Sequence, residues 1–175
     1  MRYILALKLS MRSLRIVLST LLLGLSLWNS PWAFSQISFV ENKGQWPTEV
    51  LFRADIPDGY LSVEKGALVY TRMWSNNPEY FHHGPSLGDS FIVHNQRIDF
   101  IDANTNVTGM GIDKNPEYHN YFIGDDPSKW ASRVGVFTKV RVSDVYPGID
   151  LEVYGRGGSS VKYDFIVHAG ADPEK

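Results

Sequence analysis

Four histidines hold the first residue types that could do chemistry: the adjacent pair His82-His83, with His94 or His119 as a third ligand. Imidazoles clustered in this way bind zinc or copper. Neighbours on a strand point to opposite faces, however, and no carboxylate sits at a standard ligand spacing, so a solvated loop pair is the plainer expectation. Asp89, Asp99 and Asp102 lack the graded oxygen series and terminal Glu of a calcium loop. Asp125-Asp126 is a further candidate for a surface calcium ion, with a turn and helix cap as its simpler role. Asp99, Asp102, Asp113 and Glu117 are the acids a polysaccharide-active hydrolase would draw on, since carboxylates about 5–10 Å apart cleave glycosidic bonds and converge without a sequence signature. Trp74, Tyr80, Phe81 and Trp130 offer faces on which sugar rings stack, with Asn76, Asn77 and His83 as hydrogen-bonding neighbours. The candidate ligand-binding set is therefore Trp74, Asn76, Tyr80 and His83, in the polar stretch 74–88. No G-x-S-x-G elbow is present. Gly155-Arg156-Gly157-Gly158-Ser159-Ser160 lacks the lysine of a phosphate loop and is expected to be a hairpin tip. No catalytic residue, metal site or cofactor is assigned.

The elements that must position these residues follow from composition and pattern. Apolar residues make up 43% and charged residues 21% of the 175, which excludes a disordered chain. The absence of cysteine excludes disulfides, thiolate metal sites and a cysteine nucleophile. A net charge of −2 argues against nucleic acid as a partner.

Arg12 and Arg15 precede an apolar run from Ile16 to Trp28, and Ala33-Phe34-Ser35 supplies the small residues of a cleavage site. Residues 1–35 are thus expected to be a secretory signal peptide, with Met11 as an alternative start and an uncleaved anchor as the alternative fate. Four basic residues and no acid leave with it, so the remaining 140 carry 13 basic and 19 acidic groups. No stable membrane span is expected after cleavage, because the run is shorter than the roughly 20 residues a helix needs to cross. An exported, cysteine-free, acidic chain fits a bacterial secreted protein, since small eukaryotic ones usually carry disulfides.

From Gln36 onward, period-2 alternation recurs in short runs bounded by Gly, Pro, Asn and Asp. The predicted strands are 50–54, 60–64, 68–73, 90–94, 97–101, 107–113, 118–123, 137–142, 149–154 and 161–167. Lys65-Gly66 is the expected turn of one hairpin, and Tyr146-Pro147-Gly148-Ile149 has the residue choice of a type II turn. Gly44 is expected at positive φ, and Trp46 as a core plug. About nine strands in one domain, 36–175, predict an all-β antiparallel sandwich or open barrel.

Phe39-Val40-Glu41-Asn42-Lys43-Gly44-Gln45-Trp46 resembles the opening motif of an uncharacterised β-rich N-terminal domain. Three later stretches are similar to the same domain: 120–130 (Asn-Tyr-Phe-Ile-Gly-Asp-Asp-Pro-Ser-Lys-Trp), 145–151 (Val-Tyr-Pro-Gly-Ile-Asp-Leu), and 163–167 with 170–173. That domain begins large secreted proteins of gliding bacteria with type IX secretion, often ahead of SBBP repeats and a gliding-motility-associated C-terminal sorting domain. The resemblance implies a secreted or cell-surface protein and no reaction. It makes the downstream domains of a full-length protein the expected partners, together with a surface glycan or other surface proteins. The chain stops at Lys175 before the family's later strands, and is expected to be the front part of a longer domain. The resulting expectation is a non-catalytic module for adhesion or matrix interaction, with a carbohydrate-binding module or polysaccharide-active hydrolase as the alternative.

Alternation in the last third predicts a register. Keeping apolar faces together pairs Val140 with Leu151, Val142 with Ile149, Leu151 with Tyr163 and Val153 with Val161. Lys139, Glu152 and Lys162 then form one charged row, and Arg141 faces Asp150, on a solvent-facing side that leaves any ligand surface to the 74–88 stretch. The strand 161–167 is left as an open edge. For export, N-terminal sequencing of material recovered outside the cytoplasm is expected to find a chain starting near Gln36. Retention of Met1 or Met11 in the membrane fraction would show that no cleavage occurs.

Overall fold

The structure is a computed structural model that describes residues 37–77, 90–157 and 160–174. The chain divides into Met1–Ala33 and Phe34–Lys175, and every described residue belongs to the second unit. The expected signal peptide, and Tyr80, Phe81, His82 and His83, lie outside the described residues. Among those described, no helix is long and apolar enough to cross a membrane.

The strands are β1 (Phe39–Glu41), β2 (Val50–Ile56), β3 (Gly59–Glu64), β4 (Ala67–Ser75), β5 (Phe91–Asp99), β6 (Gly109–Tyr121), β7 (Ala131–Tyr146), β8 (Ile149–Gly155) and β9 (Val161–Val167). A 3-10 turn, Pro127–Lys129, precedes β7, capped by the Asp126 carboxylate, which accepts from the Ser128 N–H at 3.0 Å. All pairings are antiparallel, in the order β5-β4-β3-β2-β1-β7-β8-β9, with β6 against the other edge of β7. The chain is all-β, a single sheet curled into an open half-barrel.

Two predicted pairs of strands are single strands. The 90–94 and 97–101 runs are one strand, β5, paired along its whole length with β4 rather than with itself. The 107–113 and 118–123 runs are likewise one strand, β6, whose irregularity between Lys114 and Tyr118 mimics a break in the alternation. β1 has no counterpart among the predicted strands because three residues show no period.

The main core lies in the concavity. Phe39, Phe52, Ala54, Leu61, Val63 and Leu68 from the β1–β4 side meet Val140, Val142, Leu151 and Val153 from β7 and β8. Phe137 packs against the same cluster although it stands three positions from Val140, an odd step that alternation would send to the opposite face. β7 therefore changes the face it presents between them, where β1 gives way to β8 along its edge. The Phe137 ring lies flat over Gly111, whose added Cβ would come within 2.3 Å of it. A smaller cluster on the outer face, Val40, Ala131, Val134 and Val136, is covered by half-buried Trp46 and by Tyr121. Trp46 is thus a core plug, as expected.

The opening motif works through Asn42. Its amide donates to the carbonyls of Trp46, Pro47 and Val50 at 2.7–3.2 Å. Its Oδ1 accepts from the N–H of Gly44, at φ 107°, and of Trp46. Glu41 ties the loop to β7 by accepting from the Gly135 N–H at 2.6 Å.

The predicted register is two residues out in both C-terminal hairpins. Val140 pairs with Val153 and Val142 with Leu151, while Leu151 pairs with Phe165 and Val153 with Tyr163. β7 continues to Tyr146, which closes on Ile149 across the Pro147-Gly148 turn, with Gly148 at φ 71°. Ser143, Asp144 and Val145 then face Asp150 alone, in a bulge held by two carboxylates. Asp150 accepts from the Asp144 N–H at 3.0 Å, and Asp144 from the Gly148 N–H at 3.2 Å. An even slip keeps every apolar residue on the core face, so alternation does not detect it; the turn and bulge decide.

The charged row changes with the slip. Glu152 lies opposite Arg141 and Asp164, not Lys162, and binds Arg141 at 2.8 Å and Lys139 at 2.7 Å. The like-charged neighbour Asp164 is satisfied by the Tyr154 hydroxyl at 2.6 Å. This face is also not simply solvent, because Asp150 and Glu152 are both buried.

Burial alone would raise the Glu152 carboxyl, but its hydrogen bonds from Lys139 and Arg141 outweigh that and hold it below the ordinary range. Asp150 is lowered in the same way by the Asp144 N–H and by His168. Groups lowered on folding stabilise above their unfolded pKa of about 4 and cease to as pH falls through the folded value. Urea midpoints are therefore expected to hold from neutral pH to about pH 5 and to fall below about pH 4. Glu152→Gln should lose roughly 1–2 kcal/mol at pH 7 and show a shallower acid decline. For the glycine contact, Gly111→Ala should cost about 1–3 kcal/mol in urea unfolding, much of it recovered in combination with Phe137→Ala. Additive effects of the two would show that ring and glycine do not touch.

Candidate functional site

Alternation on β4 sends Leu68, Tyr70, Arg72 and Trp74 to the concave face. Leu68 and Tyr70 belong to the core, and the row runs on past it into the open mouth of the half-barrel. Cross-strand pairing with β5 sets Gln96 beside Tyr70, His94 beside Arg72 and Ile92 beside Trp74. At the mouth, Trp74 is 44% exposed and Ile92 70%.

The turn between β2 and β3 forms the floor. Asp58 adopts φ 61°, and its carbonyl accepts from the Met73 N–H at 2.6 Å, fixing the turn onto β4 next to Trp74. Gly59 follows, so close to the Thr71 carbonyl that a side chain would collide with it. Ile56, Pro57, Asp58, Tyr70 and Arg72 with Ser160 and Val161 line a cleft of about 470 Å³. Burial and the neighbouring Tyr163 raise the Tyr70 phenol, so it stays a neutral donor. The cleft thus gathers a guanidinium, a phenol and a carboxylate, while Trp74 and His94 lie outside its lining, further along the row and on the paired strand.

Of the four residues singled out in the sequence, Trp74 is at this mouth. Asn76 serves the fold: its N–H donates to the Ser90 carbonyl at 3.1 Å, and its Oδ1 accepts from the Ser90 N–H at 2.9 Å. It therefore clasps the neck of the 77–90 connection. Tyr80 and His83 lie outside the described residues. Tyr70 and Arg72 carry no sequence signal of their own beyond sharing the parity of Trp74 along one strand, and His94, a candidate metal ligand by residue type, stands instead beside Arg72. Trp130 belongs to a different connection, its indole N–H donating to the Gly124 carbonyl at 3.1 Å and its ring edge-on to Phe122.

The acids considered for hydrolysis fall into two groups on strands that do not pair. Asp99 is held by Arg97 at 2.6 Å, and Asp102 follows in a turn at φ 56°. Asp113 and Glu117 lie on β6. His94 and His119 are likewise on separate strands, β5 and β6, and among the described residues no three His, Asp or Glu side chains gather as metal ligands. Two further surfaces stand out. On the outer face, the Arg53 guanidinium is stacked between Trp46 at 4.5 Å and Tyr60 at 4.1 Å. At the end of the half-barrel, Ile101, Tyr146, Ile149, Phe165, Val167 and Pro173 line an apolar groove of about 670 Å³.

Comparison with curated proteins and with solved structures gives no match. The family model for a domain of unknown function, DUF7948, matches residues 39–175, from the first residue of β1 onward. The match covers all nine strands, and the chain belongs to that family.

Proposed function

We propose that the chain is a non-catalytic recognition module of a secreted or cell-surface protein, serving adhesion or matrix interaction through the open mouth of its half-barrel. The observation that carries this is the exposed row at the mouth. A row of Tyr70, Arg72 and Trp74 emerges from the core onto an exposed rim, beside His94 and Ile92, on strands rigidly paired over nine residues. Rigid strands present such a row without the ordering cost a flexible loop would carry. The signal-like residues 1–35 and the resemblance to N-terminal domains of gliding-bacterial surface proteins support the location, and make downstream domains the natural covalent partners.

A carbohydrate ligand is the second reading, favoured by Trp74 next to Arg72 and His94, since sugars combine an apolar ring face with hydroxyls in need of donors and acceptors. Binding of the full chain to bacterial surface material is expected to weaken about tenfold in Trp74→Ala, the loss typical of an aromatic anchor. Periodate treatment of that material should remove binding if the ligand is a glycan, and protease treatment if it is a protein. Unchanged binding by both Trp74→Ala and Arg72→Ala would show that the mouth is not the site.

A further inference from the structure

On the outside of the half-barrel, Arg53, Ser62 and Thr71 stand on neighbouring strands. Arg53 is opposite Ser62 across β2 and β3, Tyr60 opposite Thr71 across β3 and β4, and Asn95 opposite Thr71 across β4 and β5. With Glu49 and Glu64 they line a shallow dish of about 320 Å³. The strands beneath it, β2, β3 and β4, are each paired on both edges, so no further strand can enter between them.

The polar groups of this dish have hydrogen-bonding capacity that the fold does not use. Ser62 is 2% and Thr71 5% exposed, yet neither hydroxyl has a partner among the described residues. Arg53 joins no ion pair among those residues, and even its buried Nε finds no acceptor. By contrast Arg97, on the same face, is held by Glu64 and Asp99 at 2.6 Å each. Trp46 and Tyr60 cover the two faces of the Arg53 guanidinium and leave its edge, the geometry that grips a carboxylate by two parallel N–H bonds. An apolar layer packed over the dish would strand the cation and both hydroxyls, so the fitting occupant is a polar one.

We propose that this dish binds a uronic-acid unit of an acidic polysaccharide, with its carboxylate on Arg53 and its ring hydroxyls on Ser62, Thr71 and Asn95. The two acids of the lining decide against a simpler anion. Carboxylates accept and do not donate, so Glu49 and Glu64 repel sulfate or phosphate but suit the hydroxyl donors of a sugar. A neutral sugar, in turn, leaves the guanidinium without a counter-charge. A ligand carrying one carboxylate and several hydroxyls uses both halves of the lining. Arg53, Ser62 and Thr71 alternate with Phe52, Leu61 and Tyr70 of the core, so the dish faces away from the Trp74 mouth and stands or falls independently of it.

The test titrates the full chain with trigalacturonate, its methyl ester, inorganic sulfate and an aspartate-rich peptide, followed by calorimetry and by amide chemical shifts. Trigalacturonate is expected to bind with a Kd of about 1 mM or tighter and to shift the amides of Arg53, Ser62 and Thr71. The ester should bind about tenfold more weakly. Arg53→Lys, which keeps the charge and loses the fork, should weaken the acid by about the same factor. Thr71→Val keeps the branched shape and removes only the hydroxyl, and should weaken it about threefold or more. Equal binding of acid and ester, or sulfate bound as tightly as the sugar acid, would show that the two halves of the lining are not read together and overturn the proposal. Wild-type binding by either variant, or no binding at about 10 mM, would overturn it as well. Shifts centred on Trp74 and Ile92 would move the sugar to the mouth, and tighter binding of the peptide would assign the dish to a protein; either result also overturns it.

Discussion

Everything in this fold depends on how the two edges of β7 are shared. One edge is taken along most of its length by β6; the other is divided between β1, opposite Val136 and Phe137, and β8, opposite residues 139–146. Two sheet arms therefore leave the same strand, β1 to β5 and β8 to β9, and their apolar faces must close on each other. The change of face between Phe137 and Val140 allows both arms to feed one core. Gly111 gives room for the Phe137 ring at that point, because a Cβ there would occupy the ring's position.

The curl that results has a mouth and a seam. The β4 row leads out of the core to Trp74, and the Asp58-Gly59 turn pins that end of the strand pair. Along the seam, β9 ends one arm with its apolar row half uncovered. The mouth presents side chains, whereas the seam presents a strand edge. The two surfaces differ in chemistry for that reason, although one curvature generates both.

The polar residues of the opening motif are accounted for by folding. Asn42 satisfies five backbone groups of its own loop, and Glu41 binds Gly135 of β7. On the outer face, Glu152 unites Lys139 and Arg141, and Asp150 holds the bulge before the Pro147-Gly148 turn. Buried carboxylates with several donors are costly to strand without partners, which is why each sits where cations or backbone N–H groups converge.

The residues alone determined the strand periodicity, the turns at Lys65-Gly66 and Pro147-Gly148, the turn at Gly44, and Trp46 as a plug. Each of these depends on local dihedral limits or on one apolar side chain in a polar stretch. They also determined which face of β8, of β9 and of β7 from Val140 to Val142 is apolar, because alternation is a local property. Tertiary structure alone decided the register, since a slip of two residues leaves that pattern intact and only the bulge at Asp144 breaks the tie. It alone joined the split halves of β5 and β6, buried Glu152 beneath two cations, and set His94 beside Arg72. Cross-strand neighbours come from distant parts of the chain, so no spacing along the sequence encodes them.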